Sequence, residues 1–429
     1  MAFDSKKFRD SIETFTFDQS RLHMVAADFR YDLKKGLRSP EESSLRLLKS
    51  YVDLPTGQES GEYLALDFGG TNVRVLRVRL LGNGKYEVVR KVAKPLVVPG
   101  LYDFVGKGSK AADLFDFLAG LIDEAIDGDK TKKYRLGHTF SFPSEQQALC
   151  DAKLIVWTKE FATQGVEGKV VNDLLKEALA RRGMTNVTPV AVINDTVAVL
   201  LAAAYKHEHT YIGSIYATGQ NTCYYEEFAD GSETPTVINM ESGGFGHLPF
   251  SKYDDILDRE SEQPGAQRLE KMVSGRYLGT LYGAALADLL GADGVYPFSS
   301  IELSEIITDA HLDRHAAGAV IEAKTGMTFT AAERTLLQEL ATAIIVRSAR
   351  IVAATYVAII QHRMGENELE DQYIAVDGSV YEKVPLVAHH LRGVLDTLLL
   401  DEAVNVKIIL ENAGSALGAA LAAAMTEKN

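Results

Sequence analysis

The stretch Tyr63-Leu-Ala-Leu-Asp-Phe-Gly-Gly-Thr-Asn-Val-Arg-Val75 determines how the rest of the chain is interpreted. An apolar segment leads through Asp67 to the adjacent glycines Gly69 and Gly70, and apolar residues alternate again after them. This pattern predicts a strand, a tight turn and a second strand. Because adjacent glycines lack Cβ atoms and accept positive φ, the turn can direct several N–H groups at one phosphate. A hairpin turn with a solvated aspartate is the alternative.

The alternation after this turn changes parity. Apolar residues occupy odd positions up to Val75 and even positions from Val78 onward, which we interpret as a bulge near Leu76. The segment Gly82-Asn-Gly-Lys85 then predicts a hairpin turn into another strand. Three consecutive antiparallel strands are therefore expected.

Composition restricts the class of protein. A chain of 429 residues has length for two or three domains, and its formal net charge of −14 argues against binding to nucleic acid or to anionic membranes. The two cysteines, Cys150 and Cys223, offer no disulfide framework or metal knuckle. No signal peptide and no apolar run of membrane-spanning length is visible, so a cytoplasmic protein is expected.

The second half of the chain contains a partial echo of the opening stretch. The segment Thr218-Gly-Gln-Asn221 lies between two predicted strands, Tyr211–Ala217 and Thr222–Glu226. Helical patterns alternate with strands elsewhere, including a predicted helix over Gln263–Leu290 and a predicted strand over Ala152–Val156. The sequence therefore predicts an α/β fold with two similar lobes and a cleft between them.

Asp195 follows the predicted buried strand Pro189–Ile193 and opens a helix. Ligands of open α/β sheets bind at the carboxyl ends of strands, so its carboxylate could act as a general base or orient a hydroxyl group. The alternative is a structural helix cap, since Asp is a favoured N-cap residue.

Other polar residues have both a binding and a structural interpretation. Thr158-Lys159 offers a hydroxyl and a cation, and Glu241 lies in a glycine-rich segment. Gln267 and Glu270 are three residues apart, which would place them on one helix face, where a pair of this kind can bind vicinal hydroxyls. All of them could equally be ordinary solvated surface residues.

Taken together, these segments resemble the hexokinase family of sugar kinases, which has the actin-like ATPase (ribonuclease H-like) fold. The opening stretch resembles its first phosphate motif, and Thr218–Asn221 its second. Sugar-contacting and catalytic motifs of the family are matched in chain order by His138-Thr-Phe-Ser-Phe-Pro-Ser144, Trp157-Thr-Lys-Glu-Phe161, Ile193-Asn-Asp-Thr-Val197, Asn239-Met-Glu241 and Gln263–Gly275.

The resemblance implies phosphorylation of a hexose, glucose first, at its 6-hydroxyl by ATP with Mg²⁺. It implies that Asp195 is the base, with Lys159 as a second catalytic residue. Sugar contacts are implied for Ser141, Phe142, Pro143, Thr158, Lys159, Asn194, Asp195, Asn221, Glu241, Gln267 and Glu270. Nucleotide contacts are implied for Asp67, Gly69, Gly70, Thr71, Asn72, Arg74, Thr218, Gly378, Ser379, Gly414 and Ser415, with Asp67 near Mg²⁺ directly or through water.

The resemblance also implies the division of the chain. Residues 60–195 with 414–429 are expected to form the small lobe, and residues 1–59 with 196–413 the large lobe. Sugar would bridge the lobes and close the cleft, which protects ATP from hydrolysis. A monomer or a homodimer is compatible with the sequence.

Three segments depart from the family pattern. Ala217 stands where glycine is usual, Ser242 replaces a frequent aromatic residue, and Leu410–Gly418 matches the adenosine motif only in part. A kinase for fructose, mannose or glucosamine, a sugar sensor with low turnover, and a polymerising actin-like protein are the alternatives. The presence of both Asp195 and Lys159 favours an enzyme over a sensor.

Overall fold

The structure is a computed structural model that describes residues 5–70, 72–158, 161–228, 231, 233–365, 367–412 and 414–427. The helices are α1 Ser5–Phe15, α2 Gln19–Arg38, α3 Ala111–Ala125, α4 Val171–Arg181, α5 Asp195–Lys206, α6 Lys252–Glu260, α7 Arg268–Val273, α8 Gly275–Leu290, α9 Ser300–Thr308, α10 His315–Thr325, α11 Ala331–Met364, α12 Ser379–Lys383, α13 Val387–Leu399 and α14 Gly414–Met425. Short 3₁₀ turns cover Pro40–Glu42, Ser242–Gly244 and Leu400–Asn405.

The strands are β1 Leu48–Lys49, β2 Ser60–Phe68, β3 Asn72–Gly82, β4 Lys85–Pro95, β5 Val97–Val98, β6 Tyr102–Asp103, β7 Tyr134–Phe140, β8 Ser144–Glu145, β9 Lys153–Leu154, β10 Val187–Ile193, β11 Thr210–Tyr216, β12 Gln220–Glu226, β13 Thr236–Asn239, β14 Gln372–Asp377 and β15 Val406–Leu410. Most of them belong to two sheets, one of five strands and one of six.

The five-stranded sheet has the order β10-β7-β2-β3-β4. Strands β2, β3 and β4 are consecutive and antiparallel, as predicted, while β7 and β10 add in parallel to β2. Helices α3 and α4 pack together, and their apolar residues share one core with this sheet. We call this sheet with α3, α4 and α14 the small lobe.

The six-stranded sheet has the order β1-β13-β12-β11-β14-β15. Here too an antiparallel unit, β11-β12-β13, continues into parallel strands, β14 and β15. We call this sheet with the remaining helices the large lobe. The repeated strand–turn–strand unit confirms the predicted α/β fold of two similar lobes; the exact residue boundaries of the lobes stay a prediction.

An irregularity lies where the bulge is predicted, but the extra residue, Val89, belongs to β4 and not to β3. Strand β3 pairs with β2 without interruption, and the register shift lies on the other side, where Arg77 and Val78 oppose β4. The parity change has a different cause: Val75 faces the core that includes α3, whereas Val78 faces the core that includes α5 and α14. A strand covered on both faces buries apolar residues of both parities.

Two other predicted elements are shorter than expected. The strand predicted over Ala152–Val156 is reduced to β9. The helix predicted over Gln263–Leu290 begins at Arg268 and is interrupted at Ser274, which has extended backbone. The interruption follows from tertiary contacts, because the N–H groups of Gly275 and Arg276 donate to carbonyl groups of the turn after β11.

Helix α11 forms the centre of the large lobe. Among the described helices it alone is long and apolar enough to cross a membrane, and 83% of its most apolar stretch is buried inside the structure. In the sequence its apolar residues do not form one uninterrupted run, because Arg347 and Arg350 lie among them. Arg347 is fully buried and forms a bidentate ion pair with Asp254, at 2.8 Å for each contact.

Helices α5 and α14 pack closely against each other, and α14 also contacts β2 and β7. A Cβ atom on Gly418 would lie 2.2 Å from the Ala198 carbonyl oxygen of α5. A Cβ atom on Gly137 of β7 would lie 1.8 Å from the Ala419 carbonyl oxygen of α14. Glycine is therefore required wherever the backbones of these elements touch.

Gly137→Ala should destabilise the protein by about 3 kcal/mol or more, because the added methyl group meets backbone that cannot move aside. Gly393→Ala is the matched control: it lies within α13, nothing lies within 4 Å of its Cβ position, and it should stabilise by about 0.5–1 kcal/mol. Urea unfolding measures both changes. Equal stabilities of the two variants would show that the close approach of β7 and α14 is wrong.

His138 lies on β7 inside the small-lobe core. The side chain is fully buried beside Phe68 and Phe140, with ring centroids 6.1 and 5.3 Å away. Within the described part of the chain, neither ring nitrogen has a hydrogen-bond partner. Burial therefore lowers the pKa of His138 from 6.5 to about 3, and the ring is neutral in the folded protein.

Stability should decrease as the pH falls below about 6.5, because the unfolded chain then binds a proton at His138 that the folded chain does not bind. The loss from this residue reaches about 2 kcal/mol at pH 5. His138→Leu removes this contribution, so the difference between its free energies of unfolding at pH 7 and pH 5 should be smaller than in the unmodified protein by that amount. Identical pH dependence of the two proteins would contradict a neutral, buried His138.

Candidate active site

Four carboxylates lie where strands end at the cleft between the lobes. Asp67 lies near the end of β2, Asp195 follows β10, Asp377 ends β14, and Glu411 follows β15. Burial, followed by the negative charges of Glu411, Asp195, Glu382 and Asp67, raises the pKa of Asp377 to about 6. The carboxylates therefore share one region, as expected for the carboxyl ends of strands in two facing sheets.

Asp195 is not the cap of helix α5. The preceding Asn194 is the N-cap residue, and its Oδ1 accepts hydrogen bonds from the backbone N–H of Thr196 at 3.0 Å and from its hydroxyl at 2.8 Å. Asp195 occupies the first helical position and is half-buried. The Asp195 carboxylate also accepts the Thr196 N–H, at 2.8 Å, so Asp195 shares this first-turn hydrogen bond with Asn194 without being the N-cap residue itself.

Asn221 and Glu241 belong to one hydrogen-bonded chain of side chains. Asn221 Nδ2 donates to Asn239 Oδ1 at 2.9 Å, and Asn239 Nδ2 donates to Glu241 Oε1 at 2.8 Å. Sequence reasoning did not include Asn239 among the site residues. The signal available was its amide side chain, two residues before Glu241 and at the end of a buried strand.

Glu241 lies close to the other acids of the site. Burial raises the pKa of its carboxyl, the Asn239 hydrogen bond opposes this, and the charges of Asp195 and Glu270 raise it further. The three carboxylates, which come from α5, the segment after β13 and α7, therefore converge. A group rich in hydroxyl donors is a suitable ligand for such a cluster.

Gln267 and Glu270 converge as well, but not on one helix face as predicted. Gln267 precedes α7 in the left-handed conformation at φ 52°, and only Glu270 lies within the helix. Both approach Gly243, whose Cβ position is 2.6 Å from Gln267 Oε1 and 3.1 Å from Glu270 Cβ. Glu241 also has positive φ, at 51°. Left-handed backbone at non-glycine residues is costly and is often found at functional sites.

A buried ion-pair network holds the segment before α7. The Asp258 carboxylate accepts hydrogen bonds from Gly265 N at 2.9 Å, from Arg268 Nη1 at 3.0 Å and from Lys271 Nζ at 2.6 Å. These contacts fix both ends of the turn that carries Gln267.

The predicted sugar loops of the small lobe surround an aromatic cluster. Phe142 is only 4% exposed and packs against Trp157, at 4.8 Å between ring centroids, and against Phe161, at 4.9 Å. Its ring therefore supports the loop from inside, while its neighbours Ser141 and Pro143 and the nearby Thr158 are partly exposed. Lys159 lies outside the described residues.

The first glycine turn contacts this sugar loop directly. A Cβ atom on Gly69 would lie 2.8 Å from Ser141 Oγ, whereas nothing lies within 4 Å of the Cβ position of Gly70. Arg74 Nη1 and Asp67 Oδ2 form an ion pair at 3.0 Å across β2 and β3. Asn72 is exposed at the start of β3, and Thr71 lies outside the described residues.

The predicted nucleotide segments of the large lobe lie side by side. A Cβ atom on Gly378, which has φ 133°, would lie 2.8 Å from Ala217 Cβ, so Gly378, which directly precedes Ser379, lies against the start of the second glycine turn. The turn is fixed to α8, because the carbonyl group of Thr218 accepts the Arg276 N–H at 3.1 Å. The backbone at Ala217 does not adopt positive φ, so its methyl group is tolerated.

The start of α14 completes this group of segments. Gly414 packs against Val199 of α5, with 2.7 Å between its Cβ position and Val199 Cγ2. The Ser415 carbonyl group accepts a hydrogen bond from Thr139 Oγ1 at the end of β7, at 2.8 Å.

The acids of the site suit a cation but do not enclose one. Within the described ranges, no group of three or more His, Cys, Asp or Glu side chains is arranged to hold a metal ion. Burial first and the neighbouring acids second raise the pKa of Asp377, and a divalent cation nearby would favour its charged form. Asp67 and its neighbours therefore fit Mg²⁺ bound mainly through phosphate and water, as is usual for this ion.

A cavity of about 60 Å³ adjoins the polar cluster. It is lined by Asn239 and Glu241 of the large lobe and by Phe142, Ser144 and Asn194 of the small lobe, among others. Residues of both lobes thus line one small cavity.

Comparisons with known proteins agree with this geometry. Two family models, both described as hexokinase, match residues 7–205 and 211–425. Hexokinase-1 of Schizosaccharomyces pombe is 32% identical over 446 residues, covering 97% of this chain and 90% of that protein. A solved structure of hexokinase from Schistosoma mansoni complexed with glucose has a TM-score of 0.80 and 29% identity, and the match covers 98% of this chain and 99% of that one.

Some relatives are longer. Hexokinase-2 of Equus caballus is 34% identical over 447 residues, which is 95% of this chain but 48% of that protein, so the chain spans about half of its length. The fold is that of the hexokinases, the actin-like ATPase fold. On the family models and on the identity across nearly the whole chain, this protein belongs to the hexokinase family.

Proposed function

We propose that the protein phosphorylates a hexose, with glucose as the first candidate, by transferring the γ-phosphoryl group of ATP to the 6-hydroxyl. The convergence of Asp195, Glu241 and Glu270 supports this most strongly. Each hydroxyl group of a sugar both donates and accepts, and carboxylates and amides pair with it in a manner that penalises a mismatched epimer. The glucose held by the Schistosoma mansoni hexokinase adds support.

In this proposal Asp195 accepts the proton of the 6-hydroxyl group as the oxygen attacks the γ-phosphorus. The bond from that phosphorus to the β–γ bridging oxygen breaks, and the products are ADP and the sugar 6-phosphate. Asn221, Glu241, Gln267 and Glu270 hold the other hydroxyl groups from the large lobe, with Ser141, Pro143, Thr158, Lys159 and Asn194 acting from the small lobe. Phosphoryl transfer requires mainly positioning and charge stabilisation, which these groups can provide.

The nucleotide contacts follow the two glycine turns. In this proposal the phosphates are bound from the small lobe by backbone N–H groups around Gly69 and Gly70 and by Thr71, Asn72 and Arg74. Thr218, Gly378, Ser379, Gly414 and Ser415 approach from the other side. Bound Mg²⁺ would neutralise phosphate charge, and Asp67 is the residue that would hold it, directly or through water.

We also propose that sugar closes the cleft. Sugar ligands come from both lobes, so a bound sugar is stabilised most when the lobes approach. Closure excludes water from the γ-phosphate, which would limit wasteful hydrolysis of ATP. We expect the protein to work in the cytoplasm as a monomer or homodimer. Its two cysteines, Cys150 and Cys223, are free thiols, which agrees with a reducing compartment.

Asp195→Asn should lower kcat for glucose by about 10²–10⁴-fold, because the amide cannot accept the proton of the 6-hydroxyl group. A coupled assay of ADP release measures this, and Asp113→Asn on the exposed face of α3 is the matched control. The glucose-dependent rise of the melting temperature should persist in the Asp195 variant, since binding of sugar to the folded state remains. Turnover equal to that of the control would show that Asp195 is not the base.

A glucose analogue without the 6-hydroxymethyl group should stimulate hydrolysis of ATP. It makes the remaining sugar contacts and favours closure, but offers no acceptor, so water takes its place. Phosphate release from ATP is measured with and without the analogue, and glucose of the opposite hand is the control. An unchanged rate at saturating analogue would contradict coupling between sugar contacts and closure.

A panel of hexoses separates the proposal from its alternatives. Preference for fructose, mannose or glucosamine would change the substrate and keep the mechanism. Sugar-dependent thermal stabilisation without turnover would indicate a sensor, and its absence with every sugar would favour a polymerising protein.

A further inference from the structure

Gln220 lies beneath the polar cluster and is 2% exposed, so its side chain is not among the groups that face a ligand. Both the nitrogen and the oxygen of its side-chain amide nevertheless form hydrogen bonds. Nε2 donates to Thr222 Oγ1 at 3.0 Å, and Oε1 accepts from Ser242 Oγ at 3.2 Å. Its backbone N–H donates to Glu270 Oε2 at 3.1 Å. One residue therefore contacts three separate parts of the site.

Two of these contacts, those with Ser242 and Glu270, lead to predicted sugar ligands. Ser242 follows Glu241, is fully buried, and donates its backbone N–H to Asn221 Oδ1 at 3.1 Å. The carboxylate of Glu270 lies over the segment at Gly219, 3.0 Å from that residue's Cβ position. The position of Gln220 is thus coupled to the positions of Asn221, Glu241 and Glu270.

Thr222 anchors the amide to the centre of the large lobe. Its hydroxyl is 3.3 Å from Ser214 Oγ, and Ser214 Oγ accepts the Tyr356 hydroxyl of α11 at 2.8 Å. Gln220, Thr222, Ser214 and Tyr356 are all buried. A buried polar network of this kind specifies one arrangement only while each member is paired, because an unpaired buried group costs about 1–3 kcal/mol.

We infer that Gln220 is a positioning residue for the sugar site. Its amide joins Ser242, and through it the Glu241 segment, to the network that ends on α11, while its backbone holds Glu270. Ser242 stands where an aromatic side chain is frequent in the family, and its hydroxyl group supplies the hydrogen bond to this amide. The inference rests on the proposed sugar kinase function and assigns Gln220 no contact with the substrates.

Gln220→Met tests this, because it keeps the length of the side chain and removes both amide contacts. We expect the KM for glucose to rise about tenfold, the equivalent of one lost buried hydrogen bond, with the KM for ATP unchanged within about twofold. Gln372→Met is the matched control: Gln372 is 5% exposed in the same sheet but lies at the opposite end of β14 from Asp377. This control should leave both KM values unchanged.

A second pair of variants separates positioning from stability. Thr222→Val removes the hydroxyl group and should raise the KM for glucose, whereas Thr222→Ser retains the hydroxyl and should restore it. A purely structural role would lower the melting temperature of Gln220→Met and leave the KM for glucose of the folded fraction at the original value, which would overturn the inference. If the unmodified protein phosphorylates no hexose, the proposed function fails instead, and the two failures are distinguishable.

Discussion

The close crossing of helices α5 and α14 is the constraint on which the rest of the structure depends. Their backbones approach so closely that Gly418 has no room for a Cβ atom, and Gly137 places β7 equally close to α14. Residues of both helices and of both sheets share one apolar cluster at this crossing. Because Asp195 begins α5 and Gly414 begins α14, the same packing fixes the ends of both helices at the cleft.

The site that results is held together by groups that would be unfavourable elsewhere. Glu241 and Gln267 have left-handed backbone, and the carboxyls of Glu241 and Asp377 have raised pKa values because they are buried near other acids. A ligand with many hydroxyl donors, together with a cation, would relieve this concentration of negative charge. Such positions lower the stability of the protein, and they persist because they hold the site in the geometry that its ligand requires.

The sequence predicted the strands beside the glycine turns because these depend on local pattern, whereas the grouping of the acids into one site was implied by the resemblance to the hexokinase family. The sequence did not predict the interruption at Ser274 or the burial of Phe142, and it did not predict that the extra residue opposite Arg77 belongs to β4. Each of these features is decided by residues distant in the chain. Asn239 and Gln220 were missed for a related reason. Their amides form hydrogen bonds with Glu241 and Ser242 only when β12, β13 and the segment after β13 are adjacent in the fold.

The central claim is that sugar brings the two lobes together about the crossing of α5 and α14. Its most direct test is the distance between spin labels on Lys107→Cys, beside the small-lobe loops, and Glu262→Cys, in the segment before Gln267, with Cys150 replaced by serine and the buried Cys223 retained. Glucose should shift the distance distribution to shorter values. An unchanged distribution at a glucose concentration that saturates turnover would contradict the account.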